Sequence, residues 1–149
     1  NTKIFVNEVK DGEMQNAGSI QLTFFDIFSD KTKQFGFKAV FPSGKVLACL
    51  GDEPFNEKCR NFVQNCDYLM CEAFCLYSQK DIFKPYEKFH STALDAGKLA
   101  ESLFAKNLIL YHTEDETLQT RKRTYTSEAR TVFNGNIFVP DDFEVINLK

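Results

Sequence analysis

The run Leu108-Ile109-Leu110-Tyr111 is apolar without alternation, so a strand here has to be covered on both faces. The segment before it supplies one cover. Thr92 and Asp95 have the Thr-x-x-acid spacing of a capping box, and Ala96, Leu99, Ala100 and Leu103 recur as one inward stripe, which predicts a helix over 93–105. A Lys106-Asn107 turn joins the two. A capped helix packed on a buried strand is the unit of a layered α/β fold, in which strand carboxyl ends and helix starts present side chains to ligands. The chain has two histidines, and both fall at such places: His90 just before the helix, His112 just after the strand.

Upstream the pattern is β. A strand is expected over Ile4 to Val9, then a turn-rich polar loop over Lys10 to Gly18. Strands with period-two alternation follow over Ser19 to Ile27 and Phe35 to Phe41; a Pro42-Ser43-Gly44 turn leads to a buried strand over Val46 to Leu50. The first third therefore reads as an antiparallel meander. After Asp52 the character changes to a short helix over Pro54 to Val63, a strand over Tyr68 to Cys71, and helix, strand and helix from Pro85 onward. The last helix is expected over Asp115 to Phe133, with Leu118, Tyr125, Ala129 and Val132 inward and Arg121-Lys122-Arg123 on a solvated side. Asn134-Gly135-Asn136 stops it, and strands over Ile137 to Val139 and Phe143 to Leu148 flank a Pro140-Asp141-Asp142 turn.

These elements make a single domain, residues 1–149, and 43 % apolar residues suffice for a core. A net charge of -3 and a pI near 5.4 give no overall field for nucleic acid or an anionic membrane. Five cysteines, an odd number set mostly in apolar runs, read as reduced thiols of an intracellular, cytoplasmic protein. No membrane span or signal peptide is expected. The chain opens Asn1-Thr2-Lys3 and turns apolar at once, as though it starts mid-fold.

Three groups able to do chemistry occupy equivalent places: Asp52, Glu72 and His112 each stand at the carboxyl end of a predicted buried strand. If these strands are neighbours, the three line one rim, and a helix start brings His90 beside them. Carboxylates and neutral imidazoles are ligands for zinc and similar divalent ions, and an aspartate with two usable oxygens can bridge two metals. The set suits half of a metal site. Each residue also has an ordinary reading: a Gly51-Asp52 turn, a Glu72 that caps a loop, histidines satisfied at element ends. Cys71-Glu72-Ala73-Phe74-Cys75 lacks a second ligand pair and reads as packed cysteines around a loop.

Taken in order, Gly51-Asp52, Cys71-Glu72-Ala73-Phe74, His90-Ser91-Thr92-Ala93-Leu94-Asp95-Ala96-Gly97 and Leu108-Ile109-Leu110-Tyr111-His112-Thr113 resemble the C-terminal half of a metallo-β-lactamase-superfamily hydrolase, nearest the ribonuclease Z-like branch. The closing Phe138-Val139-Pro140-Asp141-Asp142-Phe143-Glu144-Val145 is similar to how such proteins end. The resemblance implies half of an αββα sandwich, with a mixed sheet and helices on one face. It implies a centre of two zinc ions that activates water, with Asp52 as the bridging aspartate and His112 as the late histidine ligand. It makes His90 the catalytic histidine facing the scissile phosphate and Glu72 its supporting carboxylate.

The departures are as informative. The hallmark His-x-His-x-Asp-His and the middle histidine ligand of the family do not occur here, and Phe28 stands where relatives often place a histidine. Without those ligands the expectation is that this chain holds zinc weakly or not at all and is inactive alone. Lys10 to Gly18 is far too short for the tRNA-holding arm of ribonuclease Z, so a nucleic-acid substrate is left open. Two readings follow. One is part of a zinc-dependent phosphodiesterase completed by an N-terminal half; the other is a non-catalytic remnant that covers a bare sheet face with a second copy of itself or another partner.

Overall fold

In a computed structural model, which describes residues 3–148, one mixed sheet runs through the molecule. Among the described residues it has seven strands in sequential order: β1 (Met14–Ala17), β2 (Ile20–Asp26), β3 (Phe35–Val40), β4 (Val46–Cys49), β5 (Tyr68–Glu72), β6 (Asn107–Tyr111) and β7 (Asn136–Phe138). The first four pair antiparallel and β4 to β7 pair parallel. The parallel half needs crossovers, and these carry α1 (Arg60–Val63), α2 (Lys80–Phe83), α3 (Ala93–Ser102) and α4 (Arg121–Arg130).

Alternation along the strands sorts the side chains into two layers. Phe25, Ala48, Leu69, Cys71, Leu108 and Leu110 point toward the helices and meet Val63, Ala96, Ala100, Leu103, Tyr125 and Ala129. Leu47, Tyr68 and Ile109 point the other way, with half-buried Phe37, Met70 and Phe138 around them. The α3 prediction holds in mechanism. Thr92 Oγ1 accepts from the Asp95 N–H (3.3 Å), and the Asp95 carboxylate accepts from the Thr92 N–H (3.1 Å). The helix ends at Ser102, before the predicted boundary, because Phe104 turns to φ 55°.

Several expectations are corrected. Within Ile4 to Val9 there is no strand: Ile4, Phe5 and Val6 are exposed and no neighbour offers a ladder. The first strand lies in the predicted loop instead, where β1 pairs with β2 across a turn at Gly18. Pro54 stays outside the helix that follows β4; Asn56 caps a 3-10 turn over Glu57–Cys59 that leads into α1. Tyr77–Gln79 and Lys80–Phe83 form a helical segment that the sequence reading did not place. Only Arg121–Arg130 of the predicted 115–133 helix is helical, since the Glu114 carboxylate accepts from the backbone of Glu116 and Thr117 and makes a turn there. Leu118 is accordingly exposed.

At the carboxyl end, Phe143 to Leu148 pairs with no strand. Lys122 and Arg121 each meet Asp141 at 2.9 Å and Lys122 also meets Glu144, so these cations are not simply a solvated face. They hold a tail whose Ile146 and Leu148 pack on the helix-free side of the sheet. That side was expected to be bare. It is partly covered by the chain itself. The opening Asn1-Thr2 lies outside the described residues.

Candidate functional site

The carboxyl ends of β4, β5 and β6 are adjacent, which follows from their parallel pairing. Glu72 is the last residue of β5 and pairs across to Tyr111, so His112 emerges directly beside it. His112 has φ 53°, a left-handed conformation uncommon outside glycine, and this kink turns its ring back over the rim. His90 arrives from a different element. Its neighbours Ser91 to Ala93 run alongside Phe74 and Cys75, with Phe74 N–H to Ser91 O at 2.9 Å and Ala93 N–H to Cys75 O at 3.0 Å.

The result is a three-residue cluster. Glu72 Oε2 lies 2.6 Å from His90 Nδ1 and 3.4 Å from His112 Nδ1, and its other oxygen accepts from the Ser91 N–H at 2.7 Å. Ligand atoms of Glu72, His90 and His112 all lie within 4.8 Å of one another. The Phe74 ring stacks on His90 with centroids 4.9 Å apart and stands 6.4 Å from His112. Glu72 is 2 % exposed, whereas the His112 side chain is 41 % exposed, so the cluster is dry at its base and open at its top.

Burial sets the proton balance. It pushes the Glu72 carboxyl up to about 8, and the nearby Asp52 charge adds to this against the Ser91 N–H and Lys31. Burial also lowers His90, helped by the charges of Lys31 and His112 and opposed by Asp52. Both directions have one cause: burial works against charge on either member of the pair, and the 2.6 Å contact joins carboxyl and imidazole through a hydrogen bond.

Asp52 stands next to this cluster and is not a member of it. It follows Gly51, whose φ of 80° requires glycine, and the Tyr111 hydroxyl donates to the Gly51 carbonyl and fixes the turn. Asp52 is near enough to act on both Glu72 and His90, and its backbone carbonyl meets the His90 ring. The sequence reading named Asp52, Glu72, His90 and His112 on this rim but not which of them touch. Sequence reasoning gave no separate role to Phe74, Tyr111 or Lys31. Their signal was only adjacency to a motif residue or, for Lys31, none.

Beside the Glu72–His90 pair opens a cleft of about 300 Å³ with walls of Leu50, Phe55, Tyr86 and Leu99. The cysteines take no part. All five are free thiols, and burial pushes Cys59 and Cys66 up to about 11 and Cys75 to about 12, as packed and unreactive thiols require. Among the described residues no helix is long and apolar enough to cross a membrane. Glu72, His90 and His112 offer ligand atoms close enough together to hold a divalent metal ion.

Comparison with known proteins agrees with this architecture. No family model matches the chain. Ribonuclease Z of Bacillus cereus (strain AH187) is 32 % identical over 98 residues, covering 66 % of this chain but 31 % of that protein, and ribonuclease Z of Bacillus thuringiensis (strain Al Hakam) matches to the same extent. The chain thus spans well under half of the curated relatives it matches. Among solved structures, the metallo-β-lactamase fold protein YhfI from Bacillus subtilis superposes with a TM-score of 0.72 at 20 % identity, covering 89 % of this chain and 51 % of that one. Human tRNase Z, short form, gives 0.66 at 23 %, covering 91 % and 46 %.

Proposed function

We propose, from the premise that this chain is a ribonuclease Z-like member of the metallo-β-lactamase superfamily, that it is the C-terminal part of a metal-dependent phosphodiester hydrolase. It carries the proton-transfer side of the site. The observation that supports this most is the 2.6 Å contact between buried Glu72 and His90 on the same rim as His112 and Asp52.

In this reading His112 and Asp52 hold ions, zinc by the nature of the donors, together with ligands from the N-terminal part of such proteins. Bound there, the ions supply an activated water and polarise the substrate. The residues of this chain do the remaining work. The substrate phosphate rests against His90, whose orientation is fixed by the Phe74 stack and by Glu72. Glu72 passes its proton to His90 Nδ1 as the ring gives one up to the leaving oxygen, so the imidazole stays neutral and the negative charge is left on the Glu72 carboxylate. The Ser91 N–H holds the carboxylate that remains. Apolar walls on the neighbouring cleft keep bulk water from the pair.

The experiment is hydrolysis of bis(p-nitrophenyl) phosphate by the chain completed with a segment that carries His-x-His-x-Asp-His. Divalent-dependent turnover is expected, with Asp52→Asn, His112→Ala and His90→Ala each lowering kcat about 100-fold or more. Unchanged turnover in Asp52→Asn and His112→Ala rejects the reading. The half-buried Phe37, Met70 and Phe138 favour a second reading, in which this face pairs with another copy of the chain. A dimer in light scattering, with no hydrolysis after completion, is its expected outcome.

A further inference from the structure

We infer, resting on the reading above, that Lys31 is a substrate-binding residue whose ammonium holds a non-bridging oxygen of the phosphate that lies against His90. Asp52 and the neighbouring Glu53 put carboxylates on this rim, and a phosphodiester brings a negative charge of its own. Its capture there calls for a cation from the chain.

Topology brings Lys31 to the right end of the sheet. Asp26 at the end of β2 pairs with Phe35 at the start of β3, and Phe37 pairs with Cys49 at the end of β4, so the loop between β2 and β3 stands on the same rim as Asp52. The loop is fixed there by buried Glu53, whose Oε1 accepts from Ser29 Oγ at 2.7 Å and from Gln34 Nε2 at 3.3 Å. Ser29 Oγ in turn accepts from the Lys31 N–H at 3.1 Å and the Thr32 N–H at 3.3 Å. The backbone of Lys31 is therefore held to the rim through two successive hydrogen bonds.

Its ammonium is placed but not consumed. Lys31 Nζ is 3.8 Å from Glu53 Oε1, beyond hydrogen-bond length, and the side chain is 39 % exposed, so its donors are open to an incoming oxygen. Nζ also stands 6.0 Å from the centre of the Phe89 ring, and Phe89 directly precedes His90. The charge of Lys31 opposes the rise of the Glu72 carboxyl and adds to the lowering of His90, so it acts on both members of the pair. A compact cation with three donors suits the charge of a phosphate oxygen. Lys33, two residues on, is directed elsewhere, 3.8 Å from Asp26 and 5.3 Å from the centre of the Phe35 ring.

The test is titration of the chain with inorganic phosphate at constant pH and ionic strength, followed by the backbone amide NMR signals of Lys31 and Ser91. Saturable shifts are expected at both. Lys31→Met should weaken binding about 10-fold or more, Lys31→Arg should restore most of it, and Lys33→Met, which removes the same charge from the same loop, should change it by less than about 2-fold. In the completed protein Lys31→Met should raise KM for bis(p-nitrophenyl) phosphate about 10-fold and change kcat by less than about 3-fold. Equal effects of Lys31→Met and Lys33→Met overturn the inference, because net charge alone then accounts for them. So does a lowered melting temperature with unchanged phosphate binding in Lys31→Met, which leaves Lys31 as a partner of Glu53 only, and so does a chain that binds no phosphate. A completed protein without turnover, in a chain whose phosphate binding depends on Lys31, rejects the reading above and keeps Lys31 as an anion-binding residue. Turnover with a KM indifferent to Lys31→Met keeps that reading and rejects the inference.

Discussion

At the scale of single residues, the site is held together by a carboxyl that would be more stable without its charge. Glu72 is pushed from its ordinary 4.5 up to about 8 by burial. Between those values the folded chain holds a proton that the unfolded chain has released, so metal-free stability falls as pH rises through this window and is flat above it. His90 works in the opposite sense: its value is lowered from 6.5, so stability is lost as pH falls below that point. Glu72→Gln should therefore abolish the decline between about 4.5 and about 8 and leave the acidic limb attributable to His90, a change readable as melting temperature against pH. Phe74→Leu should lower kcat of the completed enzyme and leave the fold intact, because the stacked ring positions His90 and is only half-buried. A shifted pH profile of kcat distinguishes this positioning role from simple loss of packing.

At the scale of elements, the close approach of α3 to α4 depends on Gly97. A Cβ there would lie 2.9 Å from the Ala129 carbonyl oxygen and from Val132. Alanine would gain up to about 1 kcal/mol in helix propensity. The clash with backbone outweighs it, so Gly97→Ala should destabilise by about 1–3 kcal/mol in urea unfolding. Asp67 ties three strand starts together. Its carboxylate accepts from Lys106 Nζ at 2.8 Å and from the Val46 N–H at 2.8 Å, and its backbone carbonyl accepts from Asn107 Nδ2 at 2.7 Å. Lys106 first, and then the Val46 N–H, hold its pKa below the ordinary 3.8 against the cost of burial. Its contribution is thus fully present above that value and is lost as pH falls through the lowered one. Asp67→Asn should cost about 1–3 kcal/mol at neutral pH, and the difference from the unaltered chain should shrink in acid. Elements were legible where local chemistry specified them. The Thr92–Asp95 capping box, the alternation in β2 and β3 and the Pro42-Ser43-Gly44 turn all appear at their predicted places.

At the scale of the molecule, the tail from Asp141 to Leu148 covers apolar sheet that the fold otherwise leaves open. Its ion pairs with Lys122 are partly exposed and contribute little each, so the apolar contacts of Ile146 and Leu148 dominate. Truncation after Asp142 should increase dye binding and self-association in light scattering, and added salt should have a smaller effect than truncation. The sequence by itself determined the strand and helix periodicities, the placement of Asp52, Glu72, His90 and His112 at element ends, and the inert character of the cysteines. These follow from neighbours along the chain. Tertiary structure decided that Ile4 to Val9 and Phe143 to Leu148 are not strands, because a strand exists only where another backbone offers its hydrogen bonds. It also decided that Glu72, and not Asp52, touches both imidazoles. That contact depends on the register of β5 against β6 and on the left-handed turn at His112, neither of which any local pattern encodes.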